Sequence, residues 1–390
     1  MNLITSKKLI DTIQVDIQAL NLNKLLQLKQ DWLTLEENSE PSFFLSWKWI
    51  GNWLKLLNTN DNIRLLSASK NNQLVALGIF VERDITRNGC IKAKQWLLHR
   101  TGNECIDQIW IENNNFLIQA QDKKVIEQAI WRYLTTHQQQ VDEFILNVAK
   151  APELTELSSS ANQYQLLLSN NELGHNLELS KYFTIDDYLN SLSKNTRQQI
   201  KRSLKLLAAT GEIKFQLQTD SQAQLKLLEQ TQKWHIAKWI NTDTPSGFTN
   251  PIFIDFHRLL INTDHHSAKT LISQLTLNNE ILGSCYYFQQ GDKVYFYLSC
   301  LKPANNNRIK LGLIMHYLMV EWLITNNHTI SEYDFLAGDA RYKRSLANKN
   351  DSYTKITIQK QTTKFAIEAA LKQLKERLTQ YFSPKNSRLW

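Results

Sequence analysis

The order of apolar and polar positions divides the chain into two runs with the same plan. In the first run, residues 20–36 carry apolar positions at helical spacing. Residues 63–69 and 74–82 read as strands joined by a turn at Asn71 and Asn72, and residues 91–98 as a third strand. A helix over 125–135 and a strand over 144–148 follow. The second run opens with a helix capping box, Thr184 to Asp187. Ser193 caps a longer helix that stops at Gly211. Residues 222–239 form a helix with Leu225, Leu228, His235, Ile236 and Trp239 near one face. Strands follow at 270–277 and 281–289, around Asn278 and Asn279, and at 293–299. Residues 311–325 are apolar nearly all round, which predicts a buried helix. Strands at 331–336 and 353–359 and a basic amphipathic helix at 365–381 complete the chain.

The two hairpins match position for position after their turns: Asn71, Asn72, Gln73, Leu74, Val75 against Asn278, Asn279, Glu280, Ile281, Leu282. With the shared element order this predicts an α/β fold of two tandem halves. Each is a mixed, mostly antiparallel sheet flanked by helices. The Ser-, Gln- and Asn-rich stretch 158–170 marks the join. The expected division is 1–175, then 176–362 with the working site, then the helical tail 363–390.

Composition narrows the class. A chain of 390 residues, 42% hydrophobic and 21% charged, suffices for two domains with real cores. No apolar run reaches bilayer length, and residues 1–20 lack the apolar core of a signal peptide. Cys90, Cys105, Cys285 and Cys300 fit no metal or disulfide pattern. They read as small buried hydrophobes, and no metal is expected. A reducing cytoplasm is the simplest home. The net charge of +8 suits anionic partners, including peripheral contact with a membrane surface, or simply a lysine-rich exterior.

The sharpest segment runs from Tyr333 through Asp334, Phe335, Gly338 and Asp339 to Tyr342 and Lys343: a strand end, a tight turn at glycine, and an aromatic–lysine pair. It resembles the acetyltransferase-like family named for bacterial cellulose biosynthesis (CelD-like) and, more distantly, the Fem peptidoglycan aminoacyl transferases. The aromatic segment from Pro41 to Trp49, the Gly102-to-Asp107 element, the helix with Arg197, Ile200 and Arg202, and His235 with Trp239, Gly247 and Phe248 are similar to further family elements in the same order.

The resemblance implies tandem acetyltransferase-like (GNAT) halves and direct transfer of an acyl group, with acetyl-CoA as the donor substrate. The acceptor would be an amine or hydroxyl of a cell-envelope or polysaccharide precursor, anionic or sugar-linked. Such a site must position both reactants, take up a proton and stabilise an oxyanion. Lys343 matches the Fem-type lysine and is a candidate for charge stabilisation; otherwise it is a surface lysine. Asp334, on a strand that reads as buried, would hold the turn around Gly338 or act as a base. Tyr342 would protonate a leaving thiolate or pack. His235 is a candidate base, or a hydrogen-bonded core histidine. Donor phosphates would meet Arg308, Lys310, Leu311 and Gly312 at a helix N-terminus. That stretch keeps one of the superfamily's two glycines and sets it one residue further from the arginine. Arg197, Arg202, Trp239 and Gly338 are candidate acceptor contacts, although Arg197 and Arg202 also suit a solvated charge stripe. Trp47, Trp49 and Trp53 read as core. Two further readings stay open: a Fem-like transferase using charged tRNA, the only one that brings in nucleic acid, and a catalytically silent scaffold or carbohydrate-binding module.

Overall fold

The computed structural model describes residues 10, 12–150, 163–303 and 306–382. The first half runs β1 (Ile13–Ala19), α1 (Leu25–Glu37), α2 (Trp47–Leu54), β2 (Asn62–Lys70), β3 (Gln73–Arg87), β4 (Ile91–Leu98), α3 (Glu104–Asp107), β5 (Leu117–Ile118), α4 (Lys123–His137) and β6 (Glu143–Lys150). After β7 (Tyr164–Glu178) come α5 (Ile185–Ser191), α6 (Lys194–Ala208), β8 (Ile213–Gln218), α7 (Ser221–Trp239) and α8 (Pro251–Asn262). β9 (Ala268–Leu277), β10 (Glu280–Gln290), β11 (Lys293–Leu301), α9 (Leu311–Asn326), β12 (Glu332–Ala337), α10 (Arg341–Leu346), β13 (Lys349–Lys360) and α11 (Thr363–Phe382) complete the fold.

The two hairpin turns are built alike. Asn71 and Asn72 have φ of 51° and 61°, Asn278 and Asn279 of 49° and 65°. Two consecutive left-handed residues make the turn whose twist suits a hairpin, and asparagine tolerates that conformation. Among the described residues the strands join in one sheet, ordered β1-β2-β3-β4-β6-β13-β7-β12-β11-β10-β9-β8, with β5 beside β3. Two pairings are parallel, β4 with β6 and β11 with β12; the rest are antiparallel. Each half thus has a meander (β2-β3-β4 or β9-β10-β11) followed by one parallel strand, as the repeated pattern predicts.

The halves interlock at the centre. β13, at the end of the second half, pairs with β6 of the first, while β7 pairs with β12 of the second. The expected boundary at residue 175 therefore falls inside a 15-residue strand. Of the polar stretch thought to mark the join, residues 158–162 lie outside the described residues and residues 164–170 are strand. A shared core strengthens the junction: Phe43 stacks on Phe288 with centroids 4.3 Å apart, and Trp32, Trp49 and Trp53 are fully buried in the same cluster.

The capping box at Thr184 and Asp187 and the Ser193 cap are present. The helix over Leu311–Asn326 is buried on nearly every side. Three details differ from the sequence reading. The buried face of α7 is Gln224, Leu227, Leu228, Thr231 and His235, because Gln224 bonds the edge of β9 through Thr270. Cys90 and Cys105 are exposed; only Cys285 and Cys300 are buried. Among the described side chains of α11 only Phe365 is buried, and Ile367, Leu371, Leu374 and Leu378 are exposed.

Candidate functional site

Strand alternation sets the second half's β12. Tyr333 and Phe335 face the core under α9, while Asp334 and Leu336 face the core shared with the first half. Asp334 is 1% exposed. Its Oδ1 accepts the Leu336 N–H at 2.7 Å, across a bend in which Leu336 takes a φ of 62° and the register with β7 slips. Burial raises the Asp334 carboxyl to about 6, against the pull of Lys150 and the Leu336 N–H. The Leu336 bond holds the bend two residues before Gly338, whose own N–H goes to the Leu173 carbonyl.

Gly338 follows at φ 107°, a conformation glycine adopts freely, and α10 brings Lys343 back over the bend. The buried ammonium donates to the carbonyls of Leu336 (3.2 Å) and Ala337 (2.6 Å). Burial drives Lys343 below the ordinary lysine value, opposed by Glu112, Asp334 and Glu172. Tyr342 stacks on His316, with centroids 5.0 Å apart and planes 10° apart, and burial raises its phenol.

Glu112 was not foreseen. It comes from the first half, and its Oε2 accepts the Ala337 N–H at 2.8 Å. It lies on residues 99–122, which join β4 to α4; the equivalent connection in the second half is only 302–310. The long connection is fastened at both ends. The Asp107 carboxylate accepts the N–H groups of Thr101 and Gly102, each at 2.8 Å, which accounts for the Gly102-to-Asp107 element. Beyond Glu112, Asn114 donates to the Leu98 carbonyl (2.8 Å) and bonds His99 Nδ1 (3.0 Å). His99 Nε2 accepts the Ile79 N–H, so its proton sits on Nδ1. Asn114 thus fills the gap where β4 and β6 part in the first half. In the second half β11 and β12 pair only from Lys293 to Tyr295 and then part. A comparison of the two connection lengths would have singled out residues 99–122, though not Glu112 itself.

Between the halves lies a cavity of about 710 Å³. Glu36, Asn113 and Lys150 line it from the first half, and Gln290, Lys293 and Asp334 from the second. It mixes carboxylates, amides and lysines.

Past the C-terminal end of β11, α9 begins after Lys310, and among the described residues no side chain caps it. Its first-turn N–H groups belong to Leu311, Gly312 and Leu313. The fold does not require glycine at 312: a Cβ there would meet only Leu301 Cδ1, at an ordinary 3.5 Å. Arg308 and Lys310 are exposed beside it. Ser203 on α6 secures this loop, donating to the Arg308 carbonyl and accepting the Lys310 N–H, both at 3.1 Å. That bond sets α6, with its exposed Arg202, against the loop.

Asp334, Gly338, Tyr342 and Lys343 therefore form one group, and Arg308, Lys310, Leu311 and Gly312 another. His235 joins neither. It bonds Ser246 Oγ at 2.7 Å and packs against Trp239 and Phe248, and burial lowers it to about 4. Trp239 lies half-buried under Lys238. Arg197 donates to the carbonyls of Asn190 (2.6 Å) and Leu192 (2.9 Å), closing the end of α5. Among the described residues no helix is long and apolar enough to cross a membrane.

A family model described as an acetyltransferase (GNAT) domain matches residues 194–344, which include both groups but not Glu112. Curated protein sequences return no match. Among solved structures the chain is similar to FemX, at 9% identity and a TM-score of 0.55, over 88% of this chain and 96% of that one. It is similar also to the C-terminal domain of a protein assigned as a lysylphosphatidylglycerol synthetase from Agrobacterium fabrum, at 10% identity and a TM-score of 0.51, over 90% and 96%. A tandem GNAT protein from the clavulanic acid biosynthesis pathway matches at 9% identity and a TM-score of 0.46, over 89% and 98%. At these identities the likeness is one of fold, and that fold is the GNAT-like acyltransferase fold.

Proposed function

We propose that the chain is an acyltransferase of the CelD-like kind. Its second half would take an acyl donor, acetyl-CoA first among candidates, and pass the acyl group to an amine or hydroxyl of a cell-envelope or polysaccharide precursor. The observation that carries this reading is the uncapped start of α9. Amides, Arg308 and Lys310 meet there beside a glycine that packing does not demand, directly after the strands part. A pyrophosphate suits such a helix end. An extended donor chain would pair with the edge of β11 beyond Tyr295, where β12 no longer pairs with it. In this reading Lys343 supplies positive charge near the reacting carbonyl, and Tyr342 protonates the leaving thiolate. The cavity between the halves admits the acceptor, with Asp334 in its wall.

A Fem-like transferase using charged tRNA is the second reading. It is favoured by the altered glycine spacing and the fold likeness to FemX. A thermal-shift series with CoA, acetyl-CoA, longer acyl-CoAs and charged tRNA separates the two. The first reading predicts stabilisation by CoA esters and none by charged tRNA. Absence of a shift with every ester overturns it.

A further inference from the structure

We infer that Glu112, supplied by the first half, accepts the proton that the attacking amine or hydroxyl gives up at the second half's site. The inference rests on the acyl-transfer reading above. Its geometry centres on one residue, Ala337, at the end of β12 where β11 has already diverged. The Ala337 N–H is bound by the Glu112 carboxylate and the Ala337 carbonyl by the Lys343 ammonium, at 2.8 and 2.6 Å. A proton acceptor and a positive charge thus stand at the two ends of a single residue beside the parted strands. That is the pairing a tetrahedral intermediate needs, with a base for the nucleophile and a cation for the oxyanion.

The carboxylate is held there firmly. The Asp107 turn precedes it and the Asn114 lock follows it. Glu112 is half-buried, and Ala337 is the hydrogen-bond partner its carboxylate has among the described residues. Asp334 is the more deeply buried of the two carboxylates, 1% exposed where Glu112 is half-buried. The charged and titratable groups around Glu112 are Lys343 on α10, Asp334 on β12, Glu172 on β7, Tyr297 on β11 and Tyr353 on β13. Burial raises Glu112 to about 8; the Ala337 N–H and Lys343 pull it down, while Asp334 and Glu172 push it up. Burial drives both tyrosines upward, so they stay neutral at working pH.

The step balances. The nucleophile's lone pair forms the new bond to the acyl carbon, and its proton passes to Glu112 while the bonding pair stays on the nitrogen or oxygen. The bond from the acyl carbon to the donor's sulfur breaks with its electron pair. The sulfur then takes up one proton, and Glu112 returns to its carboxylate.

Glu112→Gln is the discriminating variant, since an amide oxygen still accepts the Ala337 N–H but cannot take a proton. The full chain is assayed for thiol release from acetyl-CoA in single turnover, with glucose as probe hydroxyl, which does not ionise near pH 8, and with water alone. The Gln variant is expected to lose about 100-fold or more in rate. The rise in rate with pH near 8 should disappear, the thermal shift by acetyl-CoA should remain, and Glu112→Asp should recover part of the rate. A Gln variant within about threefold of the wild type, with the same pH profile, overturns the inference, because a general base contributes far more than that. So does a wild type that acetyl-CoA stabilises yet whose thiol release never exceeds the solution rate. If acetyl-CoA fails to shift the wild type at all, the donor reading falls and the base with it.

Discussion

At the scale of single residues, the bend from Asp334 to Lys343 works through backbone groups more than side-chain pairs. Asp334 takes the N–H of Leu336, Lys343 the carbonyls of Leu336 and Ala337, and Glu112 the N–H of Ala337. Gly338 makes this possible. Its φ of 107° is one that other residues adopt only under strain, and a Cβ there would come within 3.4 Å of Lys343 Nζ. Gly338→Ala should therefore cost about 1–3 kcal/mol of stability and displace the ammonium. Urea unfolding checks the first effect. A fall in acyl transfer larger than the loss of folded protein checks the second. The sequence displayed Asp334, Gly338 and Lys343 because they are close in the chain. Glu112 was hidden because its partner, Ala337, lies in the other half and nothing near Glu112 marks it.

At the scale of elements, the asparagine turns, the Thr184 capping box and the all-round apolar helix were legible because each is a local device with a local signature. β7 was not. Residues 164–170 hold three consecutive leucines, of which Leu167 and Leu168 are exposed, so this part of the strand shows no alternation of apolar and polar positions. The long connection from β4 to α4 was illegible for another reason: its bonds run to strands already passed and to strands not yet made. Asn114 is its keystone. Asn114→Ala removes the partner of buried His99 and the bond to the Leu98 carbonyl. Leaving such groups unpaired costs about 1–3 kcal/mol each. The variant should melt at lower temperature and lose acyl transfer by releasing Glu112. An unchanged melting temperature would show that Asn114 does not hold the connection.

At the scale of the molecule, the two halves are not free-standing. Strands cross between them, an aromatic core spans them, and the first half's own strand gap is closed by Asn114, while β11 and β12 of the second half stay parted beyond Tyr295. The shared interior also sets the pH response. Burial lowers His99 and His235 to about 4, and His257 and His316 to about 3, from an ordinary 6.5. These rings stay neutral in the fold but charge when unfolded below 6.5, so their contribution is complete above that value and drains away toward pH 3. Glu112 and Asp334, raised by burial, act the other way: their contribution falls as pH rises to about 8 and 6. The four histidines outweigh these two carboxylates on the acid side, and above neutrality the loss from Glu112 is opposed by Lys48 and Lys343, which burial drives below the ordinary lysine value. Stability should therefore rise from pH 4 to about pH 6.5 in a urea series. A maximum below pH 5 would contradict neutral buried histidines.

The central claim is that the start of α9 holds an acyl donor. Calorimetric titration of the full chain with acetyl-CoA, beside Gly312→Trp, tests it most directly. The account predicts saturable one-to-one binding by the wild type that weakens in rising salt as phosphate contacts are screened. It predicts no binding by the variant, whose indole would fill the space above Leu311 and Leu313. No heat of binding with the wild type, or equal binding by both proteins, would contradict it.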